Sequence, residues 1–306
     1  MARRELPPAA LAVAAAVAAA LPDGDVVVGC SGGADSLALA LGASWAARRA
    51  GTRAEVLVID HGLQSGSADV ADGVVARLAA AGVPARAQRV EVRPGADGVE
   101  AAARDERLAA LAEPGLPVLL GHTLDDQAET VLLGLLRGSG ARSLAGMAAV
   151  RGPFHRPLLG LRRSDTEAAC RAWGVDWWAD PMNEDPAFAR VRARRALAEL
   201  SEELGRDVAP ALARTARLAR ADADLLDALA DDAARPTPDG ALAVADLSGL
   251  PDALRWRVLR SWLGGEATFG HVLAVDALVT AWRGQGPIAV PGGDVRRAGG
   301  RLRLIR

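Results

Sequence analysis

The chain has 306 residues, half of them hydrophobic, enough to bury a sizeable core in one large domain or two of ordinary size. Its 36 basic and 38 acidic residues leave a formal charge of −2, yet every basic residue is arginine: the sequence contains no lysine, and no tyrosine. A chain without lysine cannot be a Walker-A nucleotidase, a protein kinase or a Schiff-base enzyme, each of which needs one at its reacting centre.

Arg3, Arg4 and the apolar run from Ala9 to Leu21 imitate a signal peptide. Against export, the run is mostly alanine, follows the helix-starting pair Pro7-Pro8 and leads within a few residues into a strand. No stretch reaches about 18 strongly apolar residues, so no membrane span is expected. The first half then alternates strands at 26–29, 55–60, 87–92 and 117–121 with helices at 36–49, 70–81, 98–111 and 124–136, the pattern of a parallel α/β sheet. Past residue 160 tryptophans cluster (Trp173, Trp177, Trp178), followed by Arg190, Arg192, Arg194 and Arg195. Amphipathic helices are expected at 210–233, 252–263 and 270–283, then a strand at 288–290 and a short strand pair after Pro291-Gly292-Gly293. The division expected is a first domain at 1–208 and a mostly helical second one at 209–306. The two cysteines, Cys30 and Cys170, lie far apart outside any Cys-x-x-Cys, which gives no zinc spacing and suits a reducing cytoplasm.

Two constellations carry chemistry. Ser31-Gly32-Gly33-Ala34-Asp35-Ser36 joins a hydrophobic strand to a helix. Glycines let backbone approach an anion, the helix start offers free N–H groups, Ser31 and Ser36 add hydroxyls, and Asp35 suits a metal bridging phosphate oxygens. The second, Gly121 to Thr130, follows a strand; on a helix His122, Asp126 and Glu129 fall within about 60° of one another, with Asp125 close by. Such a face can coordinate Mg and manage protons, or it can be a helix start decorated with acids. His61 at the end of the second strand reads equally as a rim residue or a solvated loop residue.

Ser-Gly-Gly-x-Asp-Ser resembles the pyrophosphate loop of the N-type ATP pyrophosphatases, which split ATP between its α- and β-phosphates. That likeness implies an adenine-nucleotide α-hydrolase-like, Rossmann-like parallel sheet with ATP at the carboxyl ends of its strands. His-x-x-Asp-Asp-Gln-x-Glu-Thr with Leu135–Gly140, Leu144–Met147, Asp60-His61-Gly62-Leu63, Glu100–Arg104, Arg156–Leu159 and the Asp180–Arg194 motif narrows it. Together they resemble the tRNA(Ile)-lysidine synthetases over about residues 26–195, with a weaker likeness to that family's first accessory domain beyond. The chain reads as a short form without the second accessory domain of longer members. Gln64 stands where the family usually has arginine, and Val191 where it has asparagine.

The resemblance implies adenylation of the wobble cytidine of CAU-anticodon tRNA(Ile), then attack by the ε-amine of L-lysine with release of AMP. By the same resemblance Arg104, His122, Asp126 and Glu129 belong to the ATP, base and lysine site, with Asp35 holding Mg and His61 beside the nucleotide. Arg104 also reads as a solvent-facing helical arginine. Residues 186–220 hold eight arginines against four acids and residues 286–306 five against one, so basic patches hide within the small net charge. Arg190, Arg192 and Arg194 are the candidates for gripping tRNA phosphates. Arg214, Arg217 and Arg220 fit either a phosphate grip or a salt-bridged helix face. The tryptophans read as core or as base-stacking platforms. A homodimer is the oligomer the resemblance favours. The rival readings are a tRNA thiolase with the same loop, which normally needs paired cysteines; an amidotransferase, for which the chain has no glutaminase domain; and a non-catalytic ATP-binding switch.

Overall fold

The structure, a computed structural model, describes residues 6–62, 66–92, 98–138, 140–178 and 181–305. The chain divides into two compact units, Met1–Leu136 with Gly146–Ala216, and Arg137–Ala145 with Arg217–Arg306.

In the first unit α1 (Pro8–Ala19), β1 (Val26–Gly29), α2 (Ala34–Ala50), β2 (Ala54–Asp60), α3 (Ser67–Ala80), β3 (Ala85–Arg89), α4 (Val99–Ala112), β4 (Val118–Leu119) and α5 (Leu124–Leu136) follow in order. A short α6 (Ala141–Leu144) belongs to the second unit. The chain returns through β5 (Val150–Arg151), β6 (Phe154–His155), α7 (Arg163–Trp173) and α8 (Ala189–Glu203) to the long α9 (Ala209–Ala233), within which the two units divide. The sheet order is β3-β2-β1-β4-β6-β5, parallel except for the edge strand β5. Side chains alternate between its faces as the two-residue strand period requires. Val26, Val28, Val56, Val58 and Leu119 pack with residues of α1, α2, α3 and α7. Val27, Leu57, Val118 and Leu120 meet Leu108 and Leu111 of α4 on the other face. Being apolar on both sides, β1 is the buried centre of a doubly covered sheet. The chain runs outward from β1 through β2 to β3, then crosses back to β4 on its other side. This switch point opens a crevice beyond the carboxyl ends of the central strands.

The alanine-rich run that imitates a signal peptide is α1, whose Ala10, Val13, Ala14 and Val17 are buried against the same core as α2 and α7. Trp173 and Trp177 also pack on that core, and Arg171 lies 5.3 Å over the Trp177 ring. Their positions support the core reading. The third strand sits two residues earlier than the sequence pattern suggests, and the fourth shrinks to Val118–Leu119. The hairpin of β5 and β6 and the helices α7 and α8 are not among the elements expected from the sequence, although α7 buries Thr166, Ala169 and Cys170 at helical spacing. Val150 and Arg151 are exposed on an edge, and α8 buries only Val191, Ala193 and Leu197 among its arginines. Val191 is thus an inward, apolar position, whereas Gln64 lies outside the described residues.

The second unit sets α10 (Val244–Ser248), α11 (Asp252–Leu263) and α12 (Phe269–Thr280) with a four-stranded antiparallel sheet. Its strands are β7 (Leu242–Ala243), β8 (Ile288–Val290), β9 (Gly293–Ala298) and β10 (Arg301–Ile305), in the order β7-β10-β9-β8. The sheet is larger than the sequence suggested because β7 is two residues long and carries no pattern. Inside the core, Arg255 is paired with Asp276 at 2.5 Å, with side chains only 7% and 12% exposed. Arg255 has a second partner in Asp252, but Asp276 has no other cation among the described residues, so removing Arg255 strands its charge. Arg255→Met is therefore expected to cost about 3–5 kcal/mol of stability, read as a lowered midpoint in urea unfolding.

Candidate active site

The glycine loop between β1 and α2 is closed by its own serine. Ser31 N–H donates to Ser36 Oγ at 3.1 Å, and Ser36 Oγ donates to the Gly33 carbonyl at 3.0 Å. The Ser36 hydroxyl is thereby spent on the shape of the loop, and it is the exposed Ser31 that can offer a hydroxyl outward. Gly32 has φ +88°, and a Cβ there would lie 2.4 Å from Val74 Cγ2, so no other residue fits. Gly33 starts α2 with no side-chain cap, leaving the first-turn N–H groups, Ala34 and Asp35 included, available to an anion. Gly121 lets β4 end against this turn: a Cβ there would stand 3.0 Å from the Asp35 carbonyl oxygen. From the other side Trp178 N–H donates to the Gly32 carbonyl at 3.0 Å, tying the segment after α7 to the loop.

Asp35, on the first turn of α2, meets an arginine that the sequence reading passed over. Arg163, the first residue of α7, reaches Asp35 Oδ2 at 3.3 Å, Asp126 Oδ1 at 3.1 Å and Glu129 Oε1 at 3.8 Å. Burial opposes its charge, but the three carboxylates outweigh that and hold its pKa above the usual value. Thr166 Oγ1 donates to the other Asp35 oxygen. Burial pushes the Asp35 and Glu129 carboxyls up, against the pull of their arginine partners. Asp126 Oδ2 accepts Thr123 N–H and Oγ1–H at 2.8 and 2.9 Å, capping α5, while its Oδ1 faces Arg163. Glu129 is 1% exposed; its Oε1 accepts from Arg194 Nε at 2.8 Å, and its Oε2 is buried without a partner among the described residues.

Asp125, adjacent in sequence, is turned away from this group. It binds Arg162 at 2.7 Å and the Arg163 N–H at 2.8 Å, so it anchors the start of α7. Arg194, grouped by sequence with the phosphate-gripping arginines, instead neutralises Glu129. Arg192 is exposed and donates to the carbonyls of Pro186 and Ala187.

A cationic side completes the site. Burial pushes His122 down to about 4, reinforced by Arg156, Arg190 and Arg107 and opposed by Asp126. Burial also lowers His61, with Arg107 adding to it, and Arg107 itself is depressed by burial, Arg104 and Arg190. Both histidines present a buried Nδ1 with no partner among the described residues. Arg104 is exposed on α4; one turn on, the half-buried Arg107 faces the histidines more closely. Only its i+3 spacing from Arg104 marked it in sequence. Among the described residues no three His, Cys, Asp or Glu side chains gather into a metal cluster. One carboxylate beside a phosphate loop still suits Mg, which takes most of its ligands from phosphate and water.

A PP-loop domain model matches residues 10–201 and a TilS substrate binding domain model matches residues 242–303. A tRNA(Ile)-lysidine synthase of Nocardia farcinica is 52% identical over 297 residues, covering 92% of this chain and 92% of the relative. One of Rhodococcus opacus is 51% identical over 303 residues, covering 94% and 92%. The chain belongs to the tRNA(Ile)-lysidine synthase family. Like other tRNA(Ile)-lysidine synthases it is a PP-loop ligase that uses ATP and modifies tRNA. The U34-tRNA thiolase NcsA of Methanococcus maripaludis aligns with a TM-score of 0.55 at 15% identity, over 70% of this chain and 79% of its own. That is a likeness of fold. The thiolase alternative is not favoured: Cys30 and Cys170 are buried, and burial pushes the Cys170 thiol up to about 12.

His122 yields a test of this geometry. Its folded pKa lies below its ordinary 6.5, so between pH 6.5 and 4 the unfolded chain binds more protons and acidification destabilises the fold. Relative to wild type, His122→Gln should lose less stability between pH 6.5 and 4 in denaturant titrations. Equal pH slopes would refute a buried, neutral His122.

Proposed function

We propose that this enzyme joins L-lysine to the wobble cytidine of CAU-anticodon tRNA(Ile), using ATP, to give lysidine, AMP and pyrophosphate. The observation that carries the reading is the carboxylate pair Asp126 and Glu129, poised by arginines beside an ATP loop, with Glu129 Oε2 buried and unsatisfied. A buried acceptor of this kind calls for a donor, and an ammonium on a long apolar stem supplies one without bulk.

The loop from Ser31 to Ser36 cradles the phosphates through Gly32, Gly33 and the Ala34 and Asp35 N–H groups, orienting the α-phosphorus towards the base. The carbon-2 oxygen of cytidine attacks that phosphorus and pyrophosphate leaves. The lysine ε-ammonium must first lose a proton to become a nucleophile; the amine then attacks carbon 2, AMP departs and the nitrogen loses a second proton. Glu129, made more basic by burial, is the best-placed acceptor for the first of these protons, with Asp126 orienting the amine. Asp35 would hold Mg, which supplies charge neutralisation at the departing pyrophosphate. His122, neutral and buried, with Arg107 and the outlying Arg104 and His61, favours the anionic parts of the nucleotide and base. Arg190 and Arg192 face the tRNA backbone, with residues 209–306 forming the accessory tRNA-binding part. A cytoplasmic setting agrees with two free thiols and with the finding that no described helix is long and apolar enough to cross a membrane.

The deciding assay is transfer of labelled lysine into an unmodified CAU-anticodon tRNA(Ile) transcript. ATP-dependent label with AMP and pyrophosphate released is the expected result; pyrophosphate without label would assign a different nucleophile. Asp35→Ala should lower kcat at least about a hundredfold with little change in tRNA affinity, measured by single turnover and filter binding; equal turnover would remove Asp35 from the reaction. Arg190→Glu with Arg192→Glu should weaken tRNA binding and flatten its salt dependence. An unchanged salt slope would move the phosphate grip elsewhere.

A further inference from the structure

Asp35, Asp126 and Glu129 are each answered by an arginine of the chain itself. Arg163 reaches all three from one guanidinium, and Arg194 adds a second bond to Glu129. These are the same acids to which the ligase reading assigns two incoming cations, Mg at Asp35 and the lysine ammonium at Asp126 and Glu129. Asp126 has no oxygen to spare, since Thr123 takes one and Arg163 the other. A guanidinium and an ammonium cannot crowd onto the same carboxylates in a half-buried space, where like charges repel strongly. The structure thus sets an internal cation where the substrate's cation belongs, and the two exclude each other.

The two arginines differ in reach. Arg194 pairs with Glu129 only, among the described residues, whereas Arg163 spans from Asp35 beside the phosphate loop to Asp126 and Glu129 on α5. The Arg163 backbone is fixed, because Asp125 holds both the Arg162 side chain and the Arg163 N–H. Its side chain is 26% exposed and can turn about its own torsions. Asp35 lies in the first turn of α2, whose uncapped N–H groups suit a phosphate. A planar, forked and permanently charged guanidinium matches phosphate oxygens as well as it matches carboxylates. With Arg163 turned to a phosphate, Asp126 Oδ1 loses its one partner among the described residues and joins Glu129 Oε2 as a free acceptor. Two carboxylates then face Arg194 alone, which leaves the charge of one monovalent cation to be filled.

We propose that Arg163 is an exchangeable stand-in for the substrate ammonium: it neutralises Asp126 and Glu129 until ATP is bound, then turns to the phosphates and frees both carboxylates for lysine. Arg163 is in this sense a positioning residue, which makes the site of one ligand depend on the presence of the other. Nucleotide and lysine therefore bind cooperatively, and by linkage each tightens the other by the same factor. The proposal rests on the lysine reading and adds an order to it, nucleotide first and amine second.

Equilibrium dialysis of labelled lysine onto the full chain is the test, with and without Mg and α,β-methylene ATP, which cannot be split at the reacting phosphate. In the wild type the analogue should tighten lysine at least about tenfold, and lysine should tighten the analogue by the same factor. That reciprocal pair of measurements needs no variant to fold. Arg163→Met keeps much of the apolar stem and removes the charge. It should bind lysine without nucleotide about as well as the wild type does with it, and the coupling should be lost. Arg163→Lys, which keeps a charge, should retain part of the coupling. Lysine bound equally with and without the analogue would overturn the exchange and leave the lysine reading standing. So would full coupling in Arg163→Met, or an Arg163→Met chain that binds lysine weakly in both conditions, which would make Arg163 a fixed scaffold. No lysine bound by any of these proteins in either condition would instead refute the lysine reading, and the exchange with it.

Discussion

The active site depends on a single guanidinium. Asp35, Asp126 and Glu129 come from the starts of two different helices, and in a half-buried space three carboxylates repel one another and tend to protonate. Arg163 touches all three and eases that conflict, with Arg194 sharing Glu129. Its own position is set one residue back, where Asp125 takes both the Arg162 side chain and the Arg163 backbone N–H. The start of α7 is thus pinned from α5, and α7 in turn carries Cys170, whose thiol donates to the Ala34 carbonyl at the base of the glycine loop. Phosphate loop, carboxylates and α7 form one hydrogen-bonded unit.

Two kinds of chemistry meet there. Asp126 and Glu129 make a place for a cation, while His122, Arg107 and the helix start of α2 make places for anions. A reaction that brings an amine up to an adenylated base needs both. Asp126 serves this arrangement and local folding at once, one oxygen capping α5 and the other facing Arg163. Substitutions there will mix loss of chemistry with loss of a helix cap.

The glycine loop was legible in sequence because its requirement is local: Gly32 must be left-handed and Gly33 must start a helix, whatever else surrounds them. The sheet was legible from valine-rich strands buried on both faces. Arg163 was not, because an arginine opening a polar helix looks like any other until tertiary structure brings three acids to it. Asp125 and Asp126 are indistinguishable as neighbours in sequence, yet one anchors a helix and the other faces the site. Arg194 looked like part of a surface cluster because the one partner that decides its role lies sixty-five residues away. Arg107 stayed hidden behind the more conspicuous Arg104. Strands such as β7, two residues long, carry no period to read.

The helix α1 has a consequence for how the chain is made. Its Val13 and Val17 close the core against α2, so their methyl groups stand 3.2 and 3.3 Å from where a Cβ of Gly42 would be. The same helix also packs against α7, which is synthesised about 150 residues later. During synthesis an apolar, alanine-rich amino terminus therefore waits with one flank uncovered until α7 has emerged. At ribosomal speeds that wait lasts many seconds, long enough for holding chaperones to find it. The feature that imitates an export signal in the sequence is, for the nascent chain, a period of exposure that ends only when the catalytic unit is nearly complete.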